Sequence, residues 1–125
     1  MEAKRVCKDD GYILVSIINH DMIPMTETGY NVDWFEFGAY DKETLKVTNR
    51  PFIFFSLDES RELLEGRDLK IENTIATDGF AELLGPKLEE MSEFSYKQYL
   101  RWHLSRCEKK ELLGASNHLL FVCMK

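Results

Sequence analysis

One stretch of 19 residues, 50–68, constrains the fold more than any other part of the chain. It reads RPFIFFSLDESRELLEGRD, and Pro51 precedes four consecutive apolar residues. Proline has no amide hydrogen to donate, so it suits the first position of a strand. An unbroken run of aromatic and β-branched residues is typical of a strand that is buried on both faces. We therefore predict a buried strand over residues 52–55.

A helix-start signal follows in the same stretch. Ser56 lies three residues before Glu59, which is the spacing of a capping box. Gly66 suits a helix end that needs a left-handed residue. The sequence between these signals predicts a short helix whose Leu63 and Leu64 face the core.

The outer face of this helix is charged. Asp58, Arg61, Glu62 and Glu65 follow each other at spacings that place them on one side of a helix. A solvated helix face accounts for such a pattern, because acidic side chains are favoured near a helix N-terminus. A surface that binds a partner is the alternative, and the sequence leaves both interpretations open.

Other apolar patterns predict the rest of a sheet. Two continuous apolar runs predict central strands over residues 12–18 and 118–124. Alternation predicts a strand over residues 31–40, with Trp34 and Glu36 on its second face. Weaker patterns, at residues 45–48 and 69–75, predict a short returning strand and an edge strand.

The C-terminal half carries further helix signals. Gly85 and Pro86 should separate two short helices, because proline is favoured in a first turn. Ser95 and Gln98 have capping-box spacing and predict the longest helix, to about Leu113. The whole chain, residues 1–125, is thus expected to be one α+β domain. Its mainly antiparallel sheet of about five strands would carry two or three packed helices.

Charge is unevenly distributed along the chain. The net charge is −6, but residues 58–93 carry eleven acidic and four basic side chains, whereas residues 94–125 carry two and six. An acidic surface repels nucleic acid and attracts a basic partner. Alternatively, the acidic middle and the basic end neutralise each other within the fold.

Candidate chemistry is sparse. His20 beside Asp21 resembles a general-base pair, although neighbours on an extended chain point to opposite faces. His103 and Cys107 share a helix face, but two ligands do not complete a metal site. Trp102 lies near basic residues, a weak signal for nucleic-acid binding that the negative charge of the chain opposes. We therefore predict no catalytic site, metal or cofactor.

The spacing of the cysteines and the hydropathy of the chain predict its cellular compartment. The three cysteines have no paired spacing, which indicates free thiols in a reducing compartment. No run approaches the length of a membrane-spanning helix, and no apolar segment follows Met1. These features predict a cytoplasmic protein without a membrane partner.

Small size, an acidic middle and aromatic residues near carboxylates favour a protein that inhibits a basic partner. The most specific form of this hypothesis is a bacterial immunity protein, which neutralises a toxin nuclease. The first alternative is an intracellular ligand-binding or scaffold domain with an aromatic-lined pocket, and the second is a small enzyme that uses His20 or His103. The predicted partner-binding residues are Trp34, Glu36, Asp58, Glu62, Glu65, Glu82, Glu89 and Glu93.

Overall fold

The computed structural model describes residues 1–27, 34–48 and 51–125, which form an α+β fold around a three-stranded antiparallel sheet. The strands are β1 (Tyr12–Ile18), β2 (Lys70–Ala76) and β3 (His118–Met124). The C-terminal strand β3 lies in the centre, between β1 and β2. The last strand of the sequence therefore organises the sheet.

Short helices surround this sheet, and the longest of them has 12 residues. None in the described part of the chain has both the length and the apolar character needed to cross a membrane. Their bounds are α1 (Glu2–Val6), a 3₁₀ turn (His20–Met22), α2 (Ile23–Glu27), α3 (Trp34–Phe37), α4 (Leu57–Glu65), α5 (Ala81–Leu84), α6 (Pro86–Glu89), α7 (Glu93–Leu104) and α8 (Lys110–Leu113).

The core lies against one face of the sheet. Alternate residues of β3, namely Leu119, Phe121 and Cys123, are fully buried, while the residues between them are half-buried. Leu64 of α4 and Leu113 of α8 pack into the same core. The continuous apolar run of β3 correctly predicted a central strand, but its two faces are buried unequally.

The predicted sheet of about five strands with two or three helices is wrong. Residues 52–55 do not form a buried strand: Phe52 and Ile53 are 65% and 78% exposed. Only Phe55 pairs with another strand-like residue, through an isolated parallel bridge to Asn19. After Asn19 the chain turns into the 3₁₀ helix at His20, which ends the pairing in that direction, and residues 52–54 do not continue it along β1 in the other.

The predicted strand over residues 31–40 is also wrong, since residues 34–37 form the helix α3; residues 31–33 lie outside the described part. The segment reads WFEF, and an apolar run this short does not by itself distinguish a strand from a helical turn. The predicted short strand at residues 45–48 is reduced to one bridge between Tyr40 and Val47. The turn between them is fixed by Asp41, whose carboxylate accepts hydrogen bonds from two backbone amides.

Helix α4 confirms the capping-box prediction. The Ser56 hydroxyl accepts a hydrogen bond from the Glu59 amide, and the Glu59 carboxylate accepts one from the Ser56 amide. Leu64 is buried as predicted, but Leu63 is largely exposed. Gly66 keeps a right-handed conformation with φ −64°, so it is not a left-handed cap. A Cβ there would lie 2.9 Å from the Glu62 carbonyl oxygen, which explains the glycine by close approach.

The predicted helix from Ser95 to Leu113 is two helices. Ser92, rather than Ser95, caps α7, and its hydroxyl accepts a hydrogen bond from the Ser95 amide. After Leu104 the chain leaves the helix, and the Cys107 carbonyl accepts a hydrogen bond of 2.8 Å from Ala76 at the end of β2. The backbone amide at the end of this edge strand needs a hydrogen-bond acceptor. Providing that acceptor stabilises the fold more than continuing the helix would.

Stability in acid should depend on Glu59. The ammonium group of Lys46 lies 2.5 Å from its carboxylate, and together with the Ser56 amide it lowers the pKa of Glu59 from 4.5 to about 2. The folded state thus favours the charged form, and this contribution to stability is complete above pH 4.5. It is lost as the pH falls toward 2. We expect Glu59→Gln to reduce the pH dependence of the free energy of unfolding, measured by urea titration, across this range.

Lys46→Gln should reduce the same pH dependence without altering the capping hydrogen bonds, because it removes the strongest partner of the carboxylate. An unchanged pH profile in Glu59→Gln would contradict the role assigned to this ion pair.

Candidate functional site

Side chains from three chain segments meet beside the first residue of β3. Asp78 follows the end of β2, Glu82 lies on α5, and His118 begins β3. Each residue offers one atom that could ligate a metal, and these three atoms all lie within 4.8 Å of one another. Among the described residues this is the one group of three or more His, Cys, Asp or Glu side chains that could share a metal ion.

Hydrogen bonds hold the Asp78 carboxylate in place. Its Oδ1 accepts from the Ser116 hydroxyl and from the His118 backbone amide at 2.9 Å. Its Oδ2 lies 2.9 Å from Nδ1 of the His118 imidazole. An ionised carboxylate can only accept, so Nδ1 of His118 carries the proton of this hydrogen bond.

The electrostatics favour the charged form of Asp78. Partial burial by itself would raise the pKa of this carboxyl, but hydrogen bonds from Ser116 and His118 outweigh that effect and lower the pKa below its ordinary value. Asp78 therefore carries its negative charge over the physiological range.

A glycine allows this arrangement to form. Gly79 has φ +52°, and its amide donates to the hydroxyl oxygen of the fully buried Ser116 at 2.9 Å. A Cβ at this position would lie 2.7 Å from Nδ1 of His103 on α7. His103 is itself fixed by a contact of 3.1 Å between its Nε2 and the Thr77 carbonyl oxygen. The segment that carries Asp78 is thus fixed between α7 and β3.

A pocket of about 360 Å³ opens beside the cluster. Its walls are mainly apolar, and polar side chains from α5 and the start of β3 lie at one end. The lining residues are Ile18, Ile23, Thr26, Pro51, Phe52, Phe54, Glu82, Asn117 and His118. Apolar walls with a few polar groups are typical of sites that bind small molecules.

Two buried polar atoms near this region lack a partner in the described part of the chain, the amide oxygen Oδ1 of Asn117 and the hydroxyl of Tyr99. Asn117 is only 8% exposed and lines the pocket next to His118. Burial, with the charges of Tyr96 and Asp78, raises the pKa of Tyr99. Leaving a buried polar atom without a partner is costly, so both atoms indicate a place where a ligand, ion or water could bind.

The predicted partner-binding residues do not all lie on one element. Asp58, Glu62 and Glu65 are exposed on α4, and Asp58 lies 3.8 Å from Arg61 of the same helix. Glu89 and Glu93 instead line an open apolar cleft of about 600 Å³ beside α6 and α7.

The remaining three predicted residues lie elsewhere. Glu82 lines the pocket beside His118 and does not share an outer face with Glu89 and Glu93. Glu36 is exposed on α3, and the side chain of Trp34 is outside the described part. The prediction that Trp34 and Glu36 share one face required residues 31–40 to form a strand. On a helix, residues two apart are separated by about 200° around the axis.

His20 is engaged in the fold. It is buried, and its Nε2 accepts a hydrogen bond of 3.0 Å from the Val47 amide. Its Nδ1 lies 3.5 Å from the Asp21 carboxylate, because the 3₁₀ turn brings these neighbours together. Both ring nitrogens thus have partners, and neither is free to act as a base.

The other sequence candidates, on α7 and in the segment that follows it, also have local partners. The Cys107 thiol contacts the Leu104 carbonyl oxygen, and Trp102 packs against Phe80 with ring centroids 6.0 Å apart. The Arg106 guanidinium lies over the other part of the indole, 5.3 Å from its centroid. Trp102 and Lys109 remain partly exposed, whereas the Arg106 guanidinium is engaged in this cation–π contact with Trp102.

Sequence reasoning missed the Asp78–His118 pair. The sequence patterns place His118 only at the start of a strand and assign no role in a site to Asp78. Their separation of 40 residues hides the contact, which exists because β2 and β3 are neighbours. The polar residues Ser116, Asn117 and His118, immediately before an apolar strand, were the available signal.

No known protein-family model matches this chain, and no curated protein sequence matches it significantly.

Proposed function

We propose that this chain is an acidic binding protein that inhibits a basic protein partner, and that α4 forms the centre of the binding surface. The observation that carries the proposal is the exposed acidic face of this helix. Glu62 and Glu65 form no ion pair with any other residue that the structure describes. Exposed carboxylates that form no ion pair attract a positively charged partner over a long range, although Arg61 lies on the same helix and lines a pocket with Glu65.

Internal neutralisation accounts poorly for the charge distribution. Within the described ranges, the pairs that join the acidic middle to the basic end are Glu93–Lys97, which is local to α7, and Asp78–His118 at the start of β3. Arg106, another cation of the basic end, stacks on Trp102. None of these contacts involves α4, so the charge of Glu62 and Glu65 is available to another molecule.

Exposed apolar residues lie next to the acidic helix in sequence. Phe52 and Ile53 precede α4 by only a few residues, and both side chains are mostly exposed. Leu63 of α4 is also exposed. Protein interfaces typically combine apolar anchors with a surround of charged residues, and the charges mainly increase the rate and specificity of association.

The partner that best suits this surface is a basic nuclease toxin domain, which would make the chain an immunity protein. A nuclease must carry positive charge to bind phosphates. An acidic protein with apolar anchors can cover such a surface and exclude nucleic acid. The proposal includes no catalytic role for the chain itself.

Calorimetric titration with the product of the adjacent reading frame in the source genome tests the proposal. We expect nanomolar binding that weakens as the salt concentration rises, because exposed charges are screened. Ile53→Ser should weaken binding while Val6→Ser, a matched change at another exposed apolar residue, should not. Absence of binding, or binding that salt and Ile53→Ser leave unchanged, would overturn the proposal.

A small-molecule site is the second candidate function, and the pocket beside His118 favours it. The aromatic residues Phe52 and Phe54 line this pocket together with the polar side chains of Glu82 and Asn117. A ligand there should shift the NMR signals of the Asn117 side-chain amide. Screening small aromatic acids and amides by this signal distinguishes ligand binding from an exclusively protein-binding role.

A further inference from the structure

We propose that Asp78, Glu82 and His118 form a binding site for a divalent transition-metal ion at the polar end of the pocket. This inference is independent of the partner-binding role of α4. It depends on the spacing of the three side chains, on the way in which Asp78 is held, and on the buried amide of Asn117.

The spacing of Asp78 and His118 suits two ligands of one ion. Their Oδ2 and Nδ1 atoms are 2.9 Å apart. Two ligands at right angles, each about 2.0–2.2 Å from an ion, are about 3 Å apart. Because the Nδ1–H bond points at Oδ2, metal binding needs a rotation of the imidazole ring but no change in the separation of the two residues. As the metal–nitrogen bond forms, the proton on Nδ1 leaves to water and Nε2 carries the ring proton, so that the bound imidazole is neutral.

Glu82 supplies the third ligand after a small movement. Its carboxylate lies within 4.8 Å of the other two ligand atoms, whereas ligands on opposite sides of an ion are about 4.2 Å apart. Glu82 is exposed and has no ion pair or hydrogen bond with other described residues. Its side chain is therefore free to rotate toward the ion.

The surroundings of Asp78 already resemble those of a metal ligand. Hydrogen bonds from Ser116 and the His118 amide occupy Oδ1 and fix the orientation of the carboxylate. Among the described residues, Oδ2 is engaged only with the His118 ring, so it becomes available when that ring turns to bind the ion. Such secondary contacts orient ligands and increase metal affinity.

Asn117 provides an independent indication that something binds here. It lies in the same pocket wall as His118 and Glu82, is more than nine-tenths buried, and its Oδ1 has no partner in the described part of the chain. A metal-bound water could donate a hydrogen bond to this oxygen. The binding of an ion with its water would thus satisfy a polar atom that is otherwise left without a partner.

The ligand set selects the class of ion. Two carboxylates balance a divalent charge, and an imidazole nitrogen favours transition metals over Ca²⁺ and Mg²⁺, which prefer oxygen. Three protein ligands leave at least one coordination position for water or a small molecule. Zn²⁺ and Mn²⁺ are therefore suitable probes.

The test is calorimetric titration of the full chain with Zn²⁺ and with Mn²⁺, in a buffer that keeps the cysteines reduced without added thiols. We expect one ion per chain. Glu82→Gln and His118→Gln should each weaken binding at least about tenfold. Glu90→Gln, which removes the same charge from another exposed glutamate, should leave the affinity unchanged. Circular dichroism verifies that each variant is folded.

Four results would overturn the site. The first is absence of binding by the parent chain, and the second is binding that survives both Glu82→Gln and His118→Gln. The third is an equal loss in Glu90→Gln, which would indicate diffuse attraction to acidic surface. The half-buried Cys7 is a competing zinc ligand, so loss of all binding in Cys7→Ser would also count against the site.

Discussion

Leu119→Ala should lower the free energy of unfolding by about 2–5 kcal/mol, because it leaves a cavity in the centre of the core. Leu119 is fully buried on β3 and pairs with Ile17 of β1 on one side and Ala76 of β2 on the other. A cavity at this position weakens both strand pairings at once.

Leu14→Ala is the matched control, since Leu14 lies in the same sheet but is 62% exposed on β1. We expect this change to cost less than about 0.5 kcal/mol. Urea denaturation of the two variants measures the difference directly. Equal losses in both variants would contradict the assignment of β3 as the buried centre and β1 as an edge strand.

Charge reversal on α4 should have the largest effect on association. In the double variant Glu62→Lys and Glu65→Lys, we expect the association rate with the basic partner to fall about tenfold or more at low salt, because steering by charge is reversed. The variant should remain folded, since both side chains are exposed and neither forms an ion pair with described residues. Stopped-flow mixing over a range of salt concentrations gives the rate.

The control is the double variant Asp10→Lys and Glu90→Lys, which changes the net charge equally at exposed positions away from α4. A similar slowing in both double variants would mean that the net charge, rather than the face of α4, steers association. The assignment of α4 as the binding centre would then be wrong.

Local signals in the sequence predicted the elements whose structure is determined locally. The Ser56–Glu59 capping box gives α4 its start, and Pro86 begins α6 as predicted. The strands over residues 12–18 and 118–124 were also predicted, because uninterrupted runs rich in apolar and β-branched residues favour extended structure. The antiparallel α+β character followed from these elements.

Predictions failed where a distant partner decides the structure. An apolar run becomes a strand only where a neighbour supplies hydrogen bonds, and residues 52–55 find such a neighbour only at Phe55. The break after Leu104 likewise reflects a hydrogen bond from Ala76, which no pattern near residue 104 reveals. Strand 12–18 was predicted as central but is an edge strand, because sheet order is not encoded in one strand's composition.

The cluster of Asp78, Glu82 and His118 could not be predicted from the sequence for the same reason. Asp78 and His118 meet because β2 and β3 pair, and the pairing register is a property of the whole fold. His20 and His103 were more prominent in sequence, yet the structure engages both in backbone contacts. Proximity to an acidic neighbour in sequence is thus a poor guide to which histidine faces a pocket.

The most direct test of the proposed binding surface is hydrogen–deuterium exchange of the chain with and without the basic partner. We predict slower exchange of the backbone amides in α4 and in residues 52–55 when the partner is bound. Unchanged exchange there, with protection at the cleft formed by Leu88, Met91 and Tyr96 or elsewhere, would contradict the account and move the binding surface away from α4.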